Sequence, residues 1–329
     1  MRPAAWFGEE GPHTDVVLSS RVRIMRNLRG RKFPHASSSA ELEDVLDAVA
    51  SALSGIEAPD SVGSPLLERQ EPLSPTARDY LVACRLVSPE FAWKEAGRAV
   101  FLDARRRISL MVNEEDHVRL QALTPGWSPG DARSAARSVL DALEDSLDAA
   151  HSPRFGFLSA SPYNCGTGVR TSAMFHLIGL AHTKRLRSVL SALAGRGLTA
   201  RGLFGESSRA LGAFVQVSTT SGSKEEFLGT GGFLIAEERS ARAEVDLDSV
   251  QAKVEETLRF VQSHAAIGIG DACRAIGWIR WGAVIGMPGI AIDAKAADRL
   301  FATMNLGTQS SSNADRVRAS ALRDALCGC

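Results

Sequence analysis

The sequence lacks both a net charge and a long uninterrupted apolar run. Its 329 residues include 38 lysines and arginines against 38 aspartates and glutamates, so no global field draws the protein onto nucleic acid or an anionic membrane. The longest apolar segment, residues 265–292, is interrupted by Asp271, Arg274 and Arg280 and is excluded as a membrane span. Residues 1–11 show no secretory signal pattern. We therefore expect a cytoplasmic protein whose anion sites are local clusters.

Cysteine is also scarce. The five cysteines are odd in number and lack the paired spacing of a zinc site. Cys327 and Cys329, separated by one glycine, have a spacing that suits metal binding or oxidation, but we favour two reduced thiols at the terminus. The sequence has no internal repeat and no long low-complexity segment.

Local patterns predict a mixture of helices and strands without a strict βαβ repeat. Ser38 and Glu41 have the spacing of a capping box, which predicts a helix through Ser54. Further helices are expected over 131–149 and 174–193, and strands over 98–103, 108–113, 154–161 and 211–219. Residues 56–75 are rich in Pro, Gly and Ser and predict a long connection. The pattern favours an α+β fold, an antiparallel sheet flanked by helices.

The composition becomes helical after about residue 241. Apolar residues recur at helical spacing over 249–263, and a serine-rich break at 310–312 precedes a final short helix. We therefore predict a larger, catalytic domain over residues 1–244 and a smaller helical C-terminal domain over residues 245–329.

The most informative motif, residues 113–119, directly follows a predicted strand and reads Asn-Glu-Glu-Asp-His-Val-Arg. Three consecutive acids at a strand end repel one another, so we expect them to face a cation. The candidates for that cation are a guanidinium group and the magnesium ion of a nucleotide.

Four motifs occur in the order known from one enzyme family. Beside 113–119, they are Ser19-Ser20-Arg21-Val22-Arg23, Asn164-Cys165-Gly166-Thr167-Gly168-Val169-Arg170 and Arg201-Gly202-Leu203-Phe204-Gly205-Glu206. Together they resemble the ATP:guanidino phosphotransferases. The last motif is similar to that of the bacterial protein-arginine kinases. The phosphagen kinases of the family carry an N-terminal helical domain of which this sequence shows no trace.

The resemblance implies the guanidino kinase fold, which is glutamine synthetase-like, with ATP and Mg²⁺ as cofactors. Glu115 and Glu206 would be catalytic, with Glu115 as the base. The acceptor guanidinium would contact Glu115, Ser161 and Glu206, and Glu114 would lie near magnesium through water, with no direct metal ligand. The implied ATP-binding residues are Ser20, Arg21, Val22, Arg23, Arg85, Arg119, Arg170, Thr171, Ser172, Ala173, Met174, Arg201, Gly202, Leu203, Phe204 and Gly205. His117 and His176 match family histidines, and structural and catalytic roles both stay open for them.

Three departures from the family pattern affect these implications. Ser161 replaces a reactive cysteine, and a hydroxyl supplies no negative charge at neutral pH. Arg85 stands where the bacterial enzymes tend to have a histidine near the nucleotide. In a C-terminal motif that binds phosphoarginine, Asp315, Arg318 and Ala319 match while Ala314 replaces the first arginine.

We therefore expect a protein-arginine kinase that forms phosphoarginine on protein side chains, in protein quality control or stress response. The implied partners are arginine-bearing protein substrates, an activator protein, a Clp-type protease and a second copy in a homodimer. Two alternatives stay open. One is a phosphagen-type kinase acting on a free guanidino compound, and the other is a weakly active adaptor that binds phosphoarginine.

Overall fold

The computed structural model describes residues 4, 6, 9–54, 67–70, 74–92, 97–202, 210–220, 223–304 and 313–327. Its strands are β1 Val17–Arg26, β2 Leu67–Arg69, β3 Ala99–Asp103, β4 Ile108–Val112, β5 Val118–Pro125, β6 His151–Ser152, β7 Gly156–Phe157, β8 Val169–His176, β9 Leu198–Gly202 and β10 Phe214–Thr219. Its α-helices are α1 Ser39–Ser54, α2 Pro75–Ala83, α3 Pro89–Ala92, α4 Pro129–Glu144, α5 Ile178–His182, α6 Leu186–Ser191, α7 Lys224–Ala243, α8 Leu247–Ser263, α9 Ile269–Val284, α10 Ala294–Thr303 and α11 Ala314–Cys327.

Eight strands form one sheet in the order β2-β3-β4-β5-β1-β8-β10-β9. The pairs β2–β3, β3–β4, β4–β5, β8–β10 and β9–β10 are antiparallel. Strands β6 and β7 form a separate antiparallel pair. The predicted hairpin of 98–103 and 108–113 is confirmed, because Ala99 pairs with Val112 and Leu102 with Ser109. The antiparallel sheet with flanking helices confirms the predicted fold class.

Backbone contacts divide the chain into two compact units. The first comprises Met1–Ala5, Arg21–Thr124 and Ser128–Thr171, and the second comprises Trp6–Ser20, Pro125–Trp127 and Ser172–Cys329. The division therefore crosses β1 and β8 within the strands. The predicted domain boundary between residues 244 and 245 falls inside the second unit and stays a prediction.

The core of the first unit lies between its strands and the helices α1 and α4. Burial of alternate strand residues with one face of each amphipathic helix removes apolar surface from water, which is the main stabilising contribution to such a core. The buried side chains include Val22, Ile24, Leu110, Val112, Val118, Leu120, Val45, Val49, Ala136 and Val139.

The core of the second unit is formed by β8, β9 and β10 with α5 and α7. Its buried side chains include Ala173, Phe175, Leu180, Val215, Val217, Phe227 and Leu234. The C-terminal part of this unit is helical, as predicted, because α8, α9, α10 and α11 follow one another after residue 245. Among the described residues, none of the helices combines the length and apolarity needed to cross a membrane.

The predicted first helix is confirmed together with its cap. The Ser38 backbone N–H donates to Glu41 at 2.7 Å, and the Glu41 backbone N–H donates to Ser38 Oγ at 3.3 Å. This reciprocal pair satisfies two backbone donors that the first helical turn leaves without an intrahelical partner. The helix α1 then runs to Ser54 with a buried apolar face. Much of the predicted connection over 56–75 lies outside the described residues, but it includes β2.

The predicted helix over 174–193 is wrong in its first part. Met174 to His176 belong to β8, where Met174 pairs with Gln216 of β10. The remaining residues form two short helices, α5 and α6, and Lys184 between them has a left-handed φ of 62°. The first residues of the predicted helix are the buried end of a strand. Periodicity alone does not distinguish a short buried strand from a buried helix.

Two further boundaries differ from prediction around residue 150. The helix α4 ends at Glu144 instead of 149, because the following chain forms backbone bonds with residues 27–29, including Ala150 N–H to the Asn27 carbonyl at 2.7 Å. The predicted strand over 154–161 is reduced to the two residues of β7. Gly156 has a φ of 70°, and a 3₁₀ turn begins at Pro162.

Candidate active site

The acidic motif forms the tight turn between β4 and β5, in the first unit. Asn113 adopts a left-handed φ of 58°, a conformation that Asn tolerates better than most residues. Its side chain donates to the carbonyls of Leu42 at 2.8 Å and Gly97 at 2.7 Å. Arg98 also donates to the carbonyls of Asn113 and Glu114. The turn is therefore held in place by its own Asn113 side chain, which donates to two backbone carbonyls, and by the Arg98 side chain.

The Glu114 side chain points into the protein, and its carboxylate accepts three hydrogen bonds. It accepts from Ser88 Oγ at 2.7 Å, from Arg119 at 2.8 Å and from the Glu115 backbone N–H at 2.7 Å. Burial by itself raises the pKa of Glu114, but the charge of Arg119 and these hydrogen bonds outweigh it and hold the pKa below its ordinary value. Glu114 is therefore a charged, fixed carboxylate.

Glu115, the predicted base, is directed outward from the same turn. Partial burial raises the pKa of Glu115 above its ordinary value, and the negative charges of Asp116 and Glu114 raise it further, against the opposite effect of Arg119 and Arg170. A higher pKa makes a carboxylate a better proton acceptor. The two adjacent glutamates thus differ in the direction of their pKa shift, which is downward for Glu114 and upward for Glu115. The role of Glu115 as the base stays a prediction.

A pocket of about 410 Å³ opens beside the two glutamates, within the first unit. Its lining combines acids with an aromatic ring and two arginines, a mixture suited to a cationic group with an apolar stem. The lining residues are His35, Glu90, Phe91, Arg98, Glu114, Glu115 and Arg119.

Five of the predicted ATP-binding arginines belong to the first unit, and four of them act on the charge of the fifth, Arg21. Burial lowers the pKa of Arg21 well below its ordinary value, and repulsion by the other four lowers it further. Burial also lowers the pKa of Arg85 to about 10. Like charges in a buried, partly desolvated environment are energetically unfavourable unless an anion binds among them. These five arginines, which we call the arginine cluster, are Arg21, Arg23, Arg85, Arg119 and Arg170.

The other predicted nucleotide contacts are distributed over strands of both units. Val22 is fully buried in the core of the first unit, and Thr171 follows Arg170 on β8. In the second unit, Ser20 Oγ donates to the Gly126 carbonyl at 2.8 Å. Ser172, Ala173 and Met174 are buried on β8, and Arg201 and Gly202 pair with Gln216 and Val215 of β10. Leu203, Phe204, Gly205 and Glu206 lie outside the described residues.

Ser161, the replacement for the family cysteine, precedes the 3₁₀ turn Pro162–Asn164. Its backbone N–H donates to Ser159 Oγ at 3.3 Å, and its carbonyl accepts from the Asn164 N–H at 2.9 Å. The Cys165 thiol donates to the carbonyls of Ser159 and Ser161 at 3.8 and 3.9 Å. Cys165 therefore contacts the backbone of this segment instead of taking the place of the missing thiol.

The two motif histidines have structural contacts. His117 is buried, its Nδ1 accepts from the Leu28 N–H at 3.0 Å, and its Nε2 lies 2.8 Å from the Lys32 carbonyl. These contacts require the neutral ring with a proton on Nε2, and burial accordingly lowers the pKa of His117. In the second unit, burial and the nearby Arg280 and Arg242 lower the pKa of His176 well below its ordinary value.

Asp116 is the residue of the acidic motif whose contacts the sequence did not reveal. It is 1% exposed, and its carboxylate accepts from Asn27 Nδ2 at 2.6 Å, Ser159 Oγ at 2.8 Å and the Ala160 N–H at 2.8 Å. Its place in the acidic run marked it as one of three acids facing a cation. In the structure it instead joins the turn that bears Glu115 to the segment that precedes Ser161.

The predicted phosphoarginine motif lies at the start of α11. Arg318 is largely buried and donates to the Ile267 carbonyl at 2.7 Å and to Asp315 at 2.7 Å. Ala319 is fully buried, and the Asp315 side chain is 59% exposed. The Arg318 guanidinium thus connects α11 to the chain before α9, and its role in binding phosphoarginine stays a prediction.

Comparison with known proteins identifies the family. The model of the ATP:guanido phosphotransferase C-terminal catalytic domain matches residues 44–228. The chain is 40% identical over 244 residues to the protein-arginine kinase of Pelotomaculum thermopropionicum, covering 72% of this chain and 68% of that protein. It is 34% identical over 280 residues to the protein-arginine kinase of Bacillus subtilis, covering 83% and 75%. The chain belongs to the ATP:guanido phosphotransferase family.

Solved structures of family members share the fold. The crystal structure of lombricine kinase superposes with a TM-score of 0.58 at 21% identity, covering 75% of this chain and 74% of that one. The substrate-free duplicated taurocyamine kinase from Schistosoma mansoni also gives a TM-score of 0.58, at 18% identity, covering 79% of this chain and 42% of that one. At these identities the similarity concerns the fold alone, so the roles of individual residues in this ATP:guanido phosphotransferase stay predictions.

Proposed function

We propose that this ATP:guanido phosphotransferase transfers the γ-phosphoryl group of ATP to the guanidinium of arginine side chains in proteins. The names of the relatives described above support a protein acceptor. The observation that carries the proposal is that one unit of the fold holds both the arginine cluster and Glu115, a carboxylate with a raised pKa.

The arginine cluster suits the donor side of the reaction. Phosphoryl transfer requires in-line positioning and neutralisation of phosphate oxygens more than covalent chemistry by the protein. Guanidinium groups stay charged at any working pH and present paired donors to phosphate. We assign the triphosphate to Arg21, Arg23, Arg119, Arg170 and Arg201, with Arg85 as a further nucleotide contact.

Magnesium fits this arrangement as an ion held mainly by the nucleotide. Mg²⁺ keeps several waters and binds phosphates, where it would neutralise part of their charge. Among the described residues there is no group of three or more His, Cys, Asp or Glu side chains placed to hold a metal ion. The Glu114 carboxylate is bonded to Arg119 and Ser88, and its contact with Mg²⁺ through water stays a prediction.

The acceptor side needs a base, because an arginine guanidinium keeps its proton and is not nucleophilic. In the proposed step, a guanidinium nitrogen forms a bond to the γ-phosphorus while the bond from that phosphorus to the β–γ bridging oxygen breaks. The leaving oxygen of ADP takes the electron pair, and Glu115 takes the proton from the attacking nitrogen. Ser161 and Glu206 are proposed to contact the same guanidinium.

The test is transfer of labelled phosphate from ATP and Mg²⁺, with an arginine-bearing protein in one reaction and free arginine in another. Products are separated under conditions that preserve the acid-labile N–P bond. We expect label on protein arginine. Label on free arginine alone would make the protein a phosphagen-type kinase, and ATP binding without any transfer would indicate a phosphoarginine-binding adaptor. Both results would contradict the proposal.

The biological setting follows from the family resemblance. We propose that the phosphorylation acts in protein quality control or stress response in the cytoplasm, with an activator protein and a Clp-type protease as partners and a homodimer as the assembly. Co-purification of the tagged full-length chain with a protease subunit, and its mass in solution, test these proposals separately from the enzymatic activity.

A further inference from the structure

Asp116 lies next to the proposed base but points away from it, into the protein. Its carboxylate is bonded to the side chains of Asn27 and Ser159 and to the backbone N–H of Ala160. Each of these groups acts as a donor, so a carboxylate, which only accepts, suits the position. A buried charge that receives several hydrogen bonds is rigid, since breaking any of them leaves polar groups without partners in a dry environment.

The bonds of Asp116 connect two segments that the proposed reaction needs together. One is the turn between β4 and β5, which bears Glu115. The other is the segment Ser159 to Ser161, which leads into the 3₁₀ turn and contains the serine proposed to contact the acceptor. Ser159 also accepts from the Ser161 backbone N–H at 3.3 Å. A short chain of hydrogen bonds thus runs from the residue after Glu115 to Ser161.

Asn27 strengthens the same connection from a third segment, at the end of β1. Its Nδ2 donates to Asp116 at 2.6 Å and to the Leu158 carbonyl at 3.0 Å, while its Oδ1 accepts from the His117 N–H at 2.9 Å. Asn27 therefore contacts the acidic turn on one side and the segment before Ser159 on the other. All of these residues belong to the first unit.

We propose that Asp116 is a positioning residue for the acceptor guanidinium, because it holds the turn of Glu115 and the segment of Ser161 in one fixed relation. It touches neither ATP nor the guanidinium and acts through these two segments. The inference rests on the proposed function, which supplies the acceptor and the roles of Glu115 and Ser161. Near-attack geometry is sensitive to displacement, and a shift of about 1 Å costs up to about 100-fold in rate.

The test compares Asp116→Asn with the wild type, using the full chain and both acceptors. An asparagine amide cannot accept from all three donors, so we expect the acceptor KM to rise and kcat to fall, with kcat/KM lower by about 10- to 100-fold. The KM for ATP should stay close to that of the wild type, because the arginine cluster is untouched. Asp148→Asn, at an exposed position paired with Arg29, is the control and should change nothing.

A pH profile separates this role from a general loss of structure. Glu114, Asp116, Arg119 and Arg170 act on the charge of Glu115. The titratable side chains that share its pocket also include His35, Glu90 and Arg98. Loss of the Asp116 charge removes one of the two neighbouring acids that raise the pKa of Glu115, so this pKa falls and the acidic limb of kcat/KM should move to lower pH. Ser159→Ala keeps the Asp116 charge but removes the hydroxyl that donates to Asp116 and accepts from the Ser161 N–H, so acceptor kcat/KM should fall without movement of that limb.

Unchanged acceptor kinetics in Asp116→Asn, or an equal loss of ATP affinity and acceptor turnover, would overturn the inference. If thermal melting shows that Asp116→Asn is unfolded, Ser159→Ala decides the matter, and wild-type acceptor kinetics in that variant would refute the positioning role. Failure of the proposed function is seen separately, in the wild type. A wild type that uses only free arginine still allows the Asp116 comparison on that acceptor, and a wild type without transfer refutes both.

Discussion

Buried arginine side chains occur in both units of this protein, and their surroundings differ. In the second unit, the fully buried Arg280 donates to Asp298 at 2.6 Å and to the carbonyls of Thr14 and Asp15 at 2.6 and 2.9 Å. Arg242 donates to Glu238 at 2.6 Å. In the first unit, by contrast, Arg21 is repelled by four other arginines. Ion pairs between arginine and carboxylate connect segments of the second unit, whereas the gathering of five arginines in the first unit is an arrangement suited to an anion.

The carboxylates show the same difference. Glu238 of the second unit accepts from the backbone N–H groups of Gly179 at 2.8 Å and Leu180 at 3.0 Å, besides its bond to Arg242. Burial raises the pKa of both carboxylates, but two neighbouring acids raise the pKa of Glu115 of the first unit further. A group whose charge is poorly compensated contributes little to stability and is available for chemistry. Substitutions in the two regions should therefore separate activity from stability.

The largest effect is expected for Glu115→Gln. The change removes the proposed base with little change in shape, so phosphoryl transfer should fall by about 100- to 10,000-fold while ATP binding and the free energy of unfolding stay near wild type. Transfer kinetics and nucleotide titration measure the two properties. Glu43→Gln, at an exposed position on α1, is the matched control. Retained turnover in Glu115→Gln would remove Glu115 as the base.

Arg280→Met, in contrast to Glu115→Gln, should reduce the free energy of unfolding. The substitution leaves Asp298 and two carbonyls buried without their donor, which costs about 3–5 kcal/mol in the free energy of unfolding. Urea unfolding measures this loss. Arg259→Met, at an exposed pair with Glu255, should cost less than about 0.5 kcal/mol. Equal losses in both variants would mean that the buried network contributes no more than a surface pair.

Arg21→Met tests the arginine cluster itself. Removal of one charge-assisted contact to phosphate should weaken ATP binding by about 1.5–3 kcal/mol, seen as a raised KM for ATP. A variant with wild-type ATP affinity and reduced melting temperature would place Arg21 with the structural arginines of the second unit.

The smallest effect concerns Glu114, the acid of the turn that is paired with Arg119. Its pKa is lowered in the folded state, so its contribution to stability is complete above the unfolded pKa of about 4.3 and is lost as pH falls through the folded pKa. Glu114→Gln should therefore be less stable than the wild type by about 1 kcal/mol at neutral pH. The difference should vanish in acid. Urea unfolding at several pH values would show a constant difference if the Glu114 charge had no part in it.

Sequence patterns predicted the parts of the fold that depend on neighbouring residues. The capping box of Ser38 and Glu41, the hairpin of β3 and β4, and the helix over 249–263 are all present. Patterns failed where distant segments decide the outcome. Residues 174–176 form a strand because β10 supplies backbone partners, and α4 ends at Glu144 because residues 27–29 bind the chain that follows.

The sequence by itself determined the family and the set of chemical groups, because its motifs keep a fixed order and composition. Only the tertiary structure decided how those groups differ. It directed Glu114 toward Arg119 and Ser88, exposed Glu115, and buried Asp116 between Asn27 and Ser159. Three adjacent acids thereby acquired three environments. The physical reason is that charge state and rigidity depend on the dielectric and the hydrogen-bond partners around a side chain, and those come from segments far apart in the chain.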